Sequence, residues 1–391
     1  MGLVQSMTYS VYQHWDPLKV CVVGRSYPPE FYSWITVPHV RKLFERIAIE
    51  TEEDYQNIIR KLESFGVTVL RPTIADNSFI NGKYQPPPMT PRDYMVMIGE
   101  TFYENYSFTF QQAYKDIMDP TWPACDSWEE FLTLPAWIQE ECNDTHKLLE
   151  HYQSLSSYND IFKHIQQQGN KVSSHRSKDA SMLNGAMISR IGRDLYFGTT
   201  VYVQDTTEFE NLISREFPNT RNHIVNTGGH SDGTYCPVTP GLIISLEDVP
   251  TYADTFPGWE VVYLPGQSWE AVAPFLDLKQ KNEGKWWIPG FEKDNDVIDT
   301  VEQWLGHWTG YVEETVFDVN MLIIDPKNVM VFNYNKLVFD ALERYGITPH
   351  IVPFRHRYFW DGGIHCVTSD LHREGTMQDY FPERTNVQSN T

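Results

Sequence analysis

The segment Trp360-Asp-Gly-Gly-Ile-His-Cys366 contains the residues of the chain best suited to nucleophilic chemistry. Its two consecutive glycines permit a tight turn and a close approach of a ligand to the backbone. Cys366 follows them at an expected loop–strand junction. A free thiol titrates near pH 8.5, so it needs a cation, a helix terminus or a cationic substrate to become a thiolate at neutral pH. A small buried structural cysteine is the alternative interpretation.

A second segment, Gly228-Gly-His230-Ser-Asp232-Gly, places a histidine and a carboxylate on a glycine-flanked loop. A Cys/His pair with a supporting carboxylate is the minimum set for nucleophilic catalysis. Asp93, in Pro91-Arg-Asp93, precedes an apolar strand. Its carboxylate either binds a guanidinium through two hydrogen bonds or caps a turn.

The elements predicted around these loops follow one local order. An amphipathic helix over Thr51–Phe65, capped by Thr51, precedes a strand at Val67–Leu70, and Leu337–Tyr345 repeats this helix. The turn signal at Asp325–Asn328 predicts a hairpin. Strand, strand, helix, strand is therefore the predicted unit of one α/β domain. Further strands are predicted in the apolar runs Leu18–Val23, Tyr94–Ile98, Met187–Phe197, Leu242–Ser245, Met321–Ile324 and Val329–Phe332.

Composition excludes several classes of partner and site. The 391 residues include 52 acidic and 31 basic residues, a net charge of −21, which disfavours nucleic acid and anionic membranes as partners. The five cysteines show no zinc-site spacing, which is typical of a reduced cytoplasmic protein without structural metal. No apolar run approaches the length of a membrane span.

Two stretches interrupt the repeating pattern, residues 104–178 and residues 283–312. Both are rich in aromatic and acidic residues. We predict that they are insertions in a single domain over residues 1–391. They either pack against that domain or form a lid over the site.

Taken in order, the motifs resemble those of the amidinotransferase family, which includes L-arginine:glycine amidinotransferase and enzymes that amidinate amino-cyclitols. The resemblance is strong from Met187 to Tyr380 and around Asp93. It implies the pentein fold, an α/β propeller of five ββαβ units about a pseudo-fivefold axis, and it suggests a homodimer. The motifs that carry it are Pro91-Arg-Asp93, Arg190-Ile-Gly-Arg-Asp194, His230-Ser-Asp232, Gly362-Gly-Ile-His-Cys366 and Ser369–Tyr380.

The resemblance also implies a mechanism and a set of residue roles. Cys366 would attack the guanidine carbon of L-arginine, ornithine would leave, and an amine acceptor would take the amidino group from the cysteine. His230 would be the general acid and base, and no cofactor or metal is implied. The substrate-binding positions would be Asp93, Asp232, Arg190, Glu313, Glu314 and Gly363.

Three positions depart from the family pattern. Asn184 occupies the place of a catalytic aspartate, so an acceptor oxygen remains but the negative charge is lost. Val249 replaces an arginine expected to hold a substrate carboxylate, and Glu313 and Glu314 replace small hydroxyl residues. A site that has lost a cation and gained carboxylates should prefer an amine acceptor other than glycine.

Two alternatives remain open. A hydrolase of the same fold, similar to arginine deiminase or arginine dihydrolase, would use water as the second acceptor. A non-catalytic pentein binding protein would have kept the propeller without the chemistry, and Asn184 favours this interpretation.

Overall fold

The protein is described from a computed structural model. The structure describes residues 8–74, 79–80, 82–104, 114, 118–125, 128–141, 156–174, 183–200, 206–246, 252–266, 288, 290–291, 293–305, 318–360 and 362–384.

Short strands and helices alternate along the described residues. The strands are β1 (Leu18–Val23), β2 (Thr68–Leu70), β3 (Phe79–Ile80), β4 (Lys83–Tyr84), β5 (Met95–Ile98), β6 (Thr101–Glu104), β7 (Lys171–Ser174), β8 (Ile188–Ile191), β9 (Asp194–Thr200), β10 (Arg221–Gly228), β11 (Tyr235–Thr239), β12 (Leu242–Ser245), β13 (Glu260–Tyr263), β14 (Leu322–Asp325), β15 (Asn328–Val331), β16 (Thr348–Ile351) and β17 (Thr368–Arg373). The helices are α1 (Pro38–Ser64), α2 (Trp128–Thr133), α3 (Ala136–Glu141), α4 (Asn159–Gln167), α5 (Thr207–Glu216), α6 (Tyr252–Thr255), α7 (Asn295–Trp304), α8 (Lys336–Arg344) and α9 (Arg357–Trp360). Three-residue 3₁₀ turns lie at Pro91–Asp93 and Ser231–Gly233.

Five three-stranded sheets share one topology. In each sheet the first strand is antiparallel to the second, a helix follows, and the third strand is parallel to the second. The sheets, in this order of strands, are β17-β1-β2, β5-β6-β7, β8-β9-β10, β11-β12-β13 and β14-β15-β16. The five ββαβ units implied by the family resemblance are therefore present, and the fold is the pentein α/β propeller.

The first unit joins the two ends of the described chain. Strand β17 pairs with β1, with Cys21 opposite Asp370, and so supplies the first strand of a unit whose remaining elements are β1, α1 and β2. The segment just before β17, which contains Cys366, is thereby held within the ring of units.

Burial separates the inner strands from the outer ones. The first strands β5, β8 and β17 are buried at every position, whereas the third strands β13 and β16 are exposed at both ends. A strand covered on both faces requires apolar or fully paired side chains throughout. The first strands consequently form the centre of the propeller, and the loops that precede them can converge there.

Helix α1 is longer than the sequence predicted. Its first turn begins at Pro38, a favoured position for proline because the missing N–H has no intrahelical partner there. The prediction that Thr51 caps the helix was wrong. Thr51 lies buried inside the helix, where its hydroxyl accepts a hydrogen bond of 2.8 Å from the Trp360 indole N–H. The hairpin at Asp325–Asn328 is confirmed by the antiparallel pair of β14 and β15.

The described part of the first predicted insertion includes α4 and β7, which are the helix and third strand of the second unit. Helices α2 and α3 also belong to the first insertion, and α7 belongs to the second insertion, where Trp304 packs against Trp34 at a ring distance of 5.8 Å. Residues 145–155, where the sequence also predicts a helix, lie outside the described residues. Of the described helices the longest is α1, and none of them could span a lipid bilayer.

Candidate active site

Each unit supplies one side chain from the turn that leads into its first strand. These residues lie two to four positions before the strand, and the 3₁₀ turns at Pro91–Asp93 and Ser231–Gly233 present two of them. The repeated topology therefore brings together residues that are far apart in the sequence. The five are Cys366 before β17, Asp93 before β5, Asn184 before β8, Asp232 before β11 and Asn320 before β14.

Hydrogen bonds join these turns into a closed circle, which we call the axial ring. Each turn donates one bond to the next turn around the circle. Four of the turns use a backbone N–H as the donor, whereas the turn before β14 uses the side-chain amide of Asn320 both as donor and as acceptor. The five links are Arg92 N to Cys366 O at 3.4 Å, Gly185 N to Arg92 O at 2.9 Å, Asp232 N to Ala186 O at 3.1 Å, Asn320 Nδ2 to Asp232 O at 3.2 Å and His365 N to Asn320 Oδ1 at 2.8 Å.

Cys366 lies in polar surroundings although it is 2% exposed. Its Sγ is 3.1 Å from Asn320 Nδ2 and 3.4 Å from Asp232 Oδ2. Burial, with the charges of Asp232 and Asp93, raises the pKa of the Cys366 thiol well above its usual value. The thiol therefore stays protonated until a cation enters beside it.

Asp232 connects the thiol to a second imidazole. Its Oδ2 is 2.8 Å from His365 Nδ1, and burial lowers the pKa of His365 well below its usual value, so this ring is neutral. Burial also raises the pKa of Asp232 to about 7, with Asp93 adding to this shift and His230 opposing it. The second carboxylate oxygen, Oδ1, has no hydrogen-bond partner among the described residues.

His230 and Asp93 form the outer part of the site. His230 Nδ1 lies 3.9 Å from Asp93 Oδ1, and both side chains remain about one quarter exposed. The two groups are close enough to form an ion pair when the imidazole carries a proton. The pair can therefore serve a reaction that requires a proton donor next to a site of negative charge.

A buried cluster of charged side chains lies beside the segment that contains Cys366. Asp370, on β17, accepts hydrogen bonds of 2.6 to 2.8 Å from Arg92, Arg190 and Arg373. Burial alone would raise the pKa of Asp370, but the three guanidinium groups hold it well below its usual value. Arg92 Nε also donates to the carbonyls of His365 and Thr368, at 3.2 and 2.9 Å, on either side of the nucleophile.

The structure changes the roles expected of three residues. Arg190 is 0% exposed, and its guanidinium binds Asp370 and Met97 O, so the prediction that it contacts substrate gives way to a structural role. Gly363 is buried, and a Cβ there would overlap the Asn320 amide, so close packing is the reason for a glycine at this position. Asn184 Oδ1 accepts hydrogen bonds from the backbone N–H groups of Ala186 and Met187, at 2.9 and 3.1 Å. It therefore shapes its own turn.

Three other predicted positions, Val249, Glu313 and Glu314, lie outside the described residues. Two residues of the site were not predicted as functional: Asn320 and His365. An asparagine before an apolar strand, such as Asn320, is typical of a turn. His365 is next to Cys366, and its sequence position alone does not indicate a function. The recurrence of a polar residue before each first strand could have indicated Asn320.

One group of described residues, distant in sequence from the site, has the composition of a metal site. His39, Asp294 and Asp296 place one potential ligand atom each within 4.8 Å of one another at the surface. These groups already have partners, because Asp294 Oδ2 lies 3.1 Å from His39 Nε2 and its Oδ1 caps α7 by accepting from Val297 N. The arrangement is explained as a bridge between the starts of two helices.

The chain is similar to named enzymes over almost its whole length. It is 25% identical to mitochondrial glycine amidinotransferase from Xenopus tropicalis, over 97% of this chain and 86% of that protein. It is 22% identical to inosamine-phosphate amidinotransferase 1 from Streptomyces glaucescens, over 95% and 98% of the two chains. Among solved structures, an amidinotransferase of the saxitoxin biosynthetic pathway from Microseira wollei superimposes with a TM-score of 0.59 at 19% identity, covering 96% of this chain and all of that one. No family model matches the chain.

Proposed function

We propose that the chain is an amidinotransferase of the pentein superfamily, which moves the amidino group of L-arginine to an amine acceptor through an amidino-Cys366 intermediate. The observation that carries this proposal is the position of the Cys366 thiol between Asn320 and Asp232, with the Asp93 carboxylate adding its negative charge.

The electrostatics of the site support a guanidinium substrate. Asp232 and Asp93 both raise the pKa of the Cys366 thiol, so these two carboxylates disfavour a thiolate. A planar cation held by these carboxylates reverses that effect, because its positive charge stabilises both the carboxylates and the thiolate. The substrate thus activates the nucleophile that attacks it, and the thiolate forms only when there is something to attack.

The first half of the reaction forms the covalent intermediate. The thiol proton passes to Asp232 Oδ2, the acceptor at 3.4 Å, and the sulfur attacks the guanidinium carbon to form a C–S bond. His230, protonated beside Asp93, gives its proton to the departing nitrogen as the C–N bond breaks. Ornithine leaves, and the amidino group stays on the sulfur of Cys366.

The second half returns the enzyme to its starting state. The acceptor amine attacks the amidino carbon, and His230, now neutral, takes a proton from the attacking nitrogen. The new C–N bond forms as the C–S bond breaks, and the proton on Asp232 returns to the sulfur. His230 and Asp232 each give and receive one proton in a full cycle, so the protons of the two reaction steps balance without a cofactor.

We propose further that the acceptor is an amine other than glycine, such as a diamine, a lysine-like compound or an amino sugar. The proposal rests on the sequence departures Val249, Glu313 and Glu314, which remove a cation and add carboxylates. A cytoplasmic location and a homodimer stay predictions.

Product analysis with L-arginine as donor tests the function. The purified protein is incubated with arginine and one of several amines, including glycine and polyamines, and the products are separated by mass. We expect ornithine together with a new guanidino compound, formed fastest with an acceptor other than glycine. Citrulline or ammonia would identify a hydrolase instead, and a clear preference for glycine would refute the proposed acceptor class.

A further inference from the structure

We propose that Asn320 is a further catalytic residue, which donates a hydrogen bond to the Cys366 thiolate and, with the backbone N–H of Gly363, forms a two-donor pocket for the sulfur anion. The inference rests on the proposed role of Cys366 as nucleophile. It assigns a function to a residue outside the catalytic set expected from the sequence.

The contacts of the Asn320 amide fix its orientation. Its Oδ1 accepts from the His365 backbone N–H at 2.8 Å, and its Nδ2 lies 3.2 Å from the Asp232 carbonyl oxygen and 3.1 Å from Cys366 Sγ. A rotated amide would place an NH₂ group against an N–H donor and an oxygen against a carbonyl. Because both of those contacts are repulsive, Nδ2 must face the sulfur with one N–H directed at it.

A donor in this position stabilises the anion more than the thiol. Hydrogen bonds from Asn320 and from the Gly363 backbone lower the pKa of Cys366, against the larger opposing effects of burial, Asp232 and Asp93. The same donors act twice in the reaction, since the sulfur is an anion when it attacks and again when it leaves the amidino carbon. The pocket resembles an oxyanion hole, with sulfur in place of oxygen.

The packing of Gly363 holds the pocket closed. A Cβ at this position would overlap the Oδ1, Cγ and Cβ atoms of Asn320. A glycine is required here because the amide of Asn320 occupies the space that a larger residue would need. Gly363→Ala should therefore move the Asn320 amide away from the sulfur while leaving the asparagine itself in place in the sequence.

The test measures ionisation of the Cys366 thiol directly, without arginine. Iodoacetamide alkylation of Cys366 is followed by peptide mass from pH 7 to pH 10.5 in the wild type, Asn320→Ala, Asn320→Asp and Gly363→Ala. Loss of one hydrogen bond to a charged group should lower the alkylation rate about 10- to 100-fold at any pH below the thiol pKa. Asn320→Asp, which keeps the shape and turns the donor into an anion, should have the largest effect.

Asn222→Asp is the matched control. Asn222 Nδ2 also donates to two carbonyls, those of Ile213 and Phe217, at 3.3 and 3.1 Å. The substitution therefore removes amide hydrogen bonds of the same kind at a place that does not contact the thiol. It should lower the melting temperature while leaving the alkylation profile within about twofold of wild type.

Two results would overturn the inference: wild-type alkylation profiles in folded Asn320 variants, or equal slowing by Asn222→Asp. Either result would leave the proposed function standing, because neither involves transfer. Conversely, slow alkylation in the Asn320 variants together with no reaction of the wild type with arginine would refute the proposed function alone.

Discussion

Asp232 Oδ2 lies 3.4 Å from Cys366 Sγ, so the thiol faces a carboxylate oxygen. This contact opposes thiolate formation, and it makes the pKa of the Cys366 thiol sensitive to any charge placed beside it.

Replacement of Asp93 should have opposite effects on thiol reactivity and on transfer. Asp93 raises the pKa of the Cys366 thiol, so Asp93→Asn should speed iodoacetamide alkylation at pH 8 by about tenfold. Transfer from arginine should fall at least about 100-fold because the guanidinium loses a charged partner. The surface substitution Asp340→Asn serves as control and should change neither rate. Unchanged or slower alkylation in Asp93→Asn would contradict the account.

Replacement of Asp232 should stabilise the fold in a pH-dependent way. The pKa of Asp232 is raised to about 7, so the folded protein binds this proton more tightly than the unfolded chain does. The proton bound to Asp232 stabilises the folded protein fully below a pH of about 4, the pKa of this group in the unfolded chain. This stabilisation is lost as the pH rises through 7. Asp232→Asn cannot ionise, so its stability advantage over wild type should grow by about 2–4 kcal/mol from pH 5 to pH 8. Denaturant unfolding at pH 5 and pH 8 measures the difference in the free energy of unfolding between Asp232→Asn and the wild type. The same difference at both pH values would show that the pKa of Asp232 is not raised in the folded protein.

Loss of His230 should matter only for donors whose leaving group needs a proton. His230→Asn should slow amidino transfer from arginine about 10²- to 10⁴-fold, the usual contribution of a general acid. With S-methylisothiourea, the departing thiolate needs no proton, so the Cys366 adduct should form within about threefold of the wild-type rate. Mass spectrometry of the protein follows both reactions. Equal slowing with the two donors would assign His230 a role in binding.

Arg92 should be required for stability of the nucleophile segment. Arg92→Met removes the donor shared by the His365 and Thr368 carbonyls and one of three cations on Asp370. The loss of these buried hydrogen bonds and of one cation beside the buried Asp370 should lower the free energy of unfolding by about 2–4 kcal/mol. Arg193→Met, at a half-exposed position with one long ion pair, should change it by less than about 1 kcal/mol. Urea unfolding compares the two, and similar values would argue against an anchoring role.

Much of the repeating unit could be predicted from local patterns. The apolar run Leu18–Val23 and the turn at Asp325–Asn328 specify their structures through neighbouring residues alone. Helix α1 shows the limit of this approach, since a threonine that appears suitable as a cap instead packs against Trp360 from a distant part of the chain. Propensity describes the isolated segment, and tertiary contacts can override it.

The candidate site shows the same division. Cys366 and His230 stand out because glycines flank their segments and because a thiol and an imidazole together can carry out nucleophilic catalysis. Asn320 acquires its role only when the propeller places its amide between Asp232 and Cys366, which lie 88 and 46 residues away along the chain. Arg190 shows the converse, because its place in a motif suggested substrate contact although the fold buries it against Asp370.

The mass of the intact protein after incubation with L-arginine tests the central claim most directly. Wild-type protein, quenched in acid within seconds, should carry one added amidino group on the peptide that contains Cys366, and addition of an acceptor amine should remove it. Cys366→Ala should gain no mass under the same conditions. An unmodified wild-type protein that nevertheless produces ornithine, or an equal adduct on Cys366→Ala, would contradict the covalent mechanism.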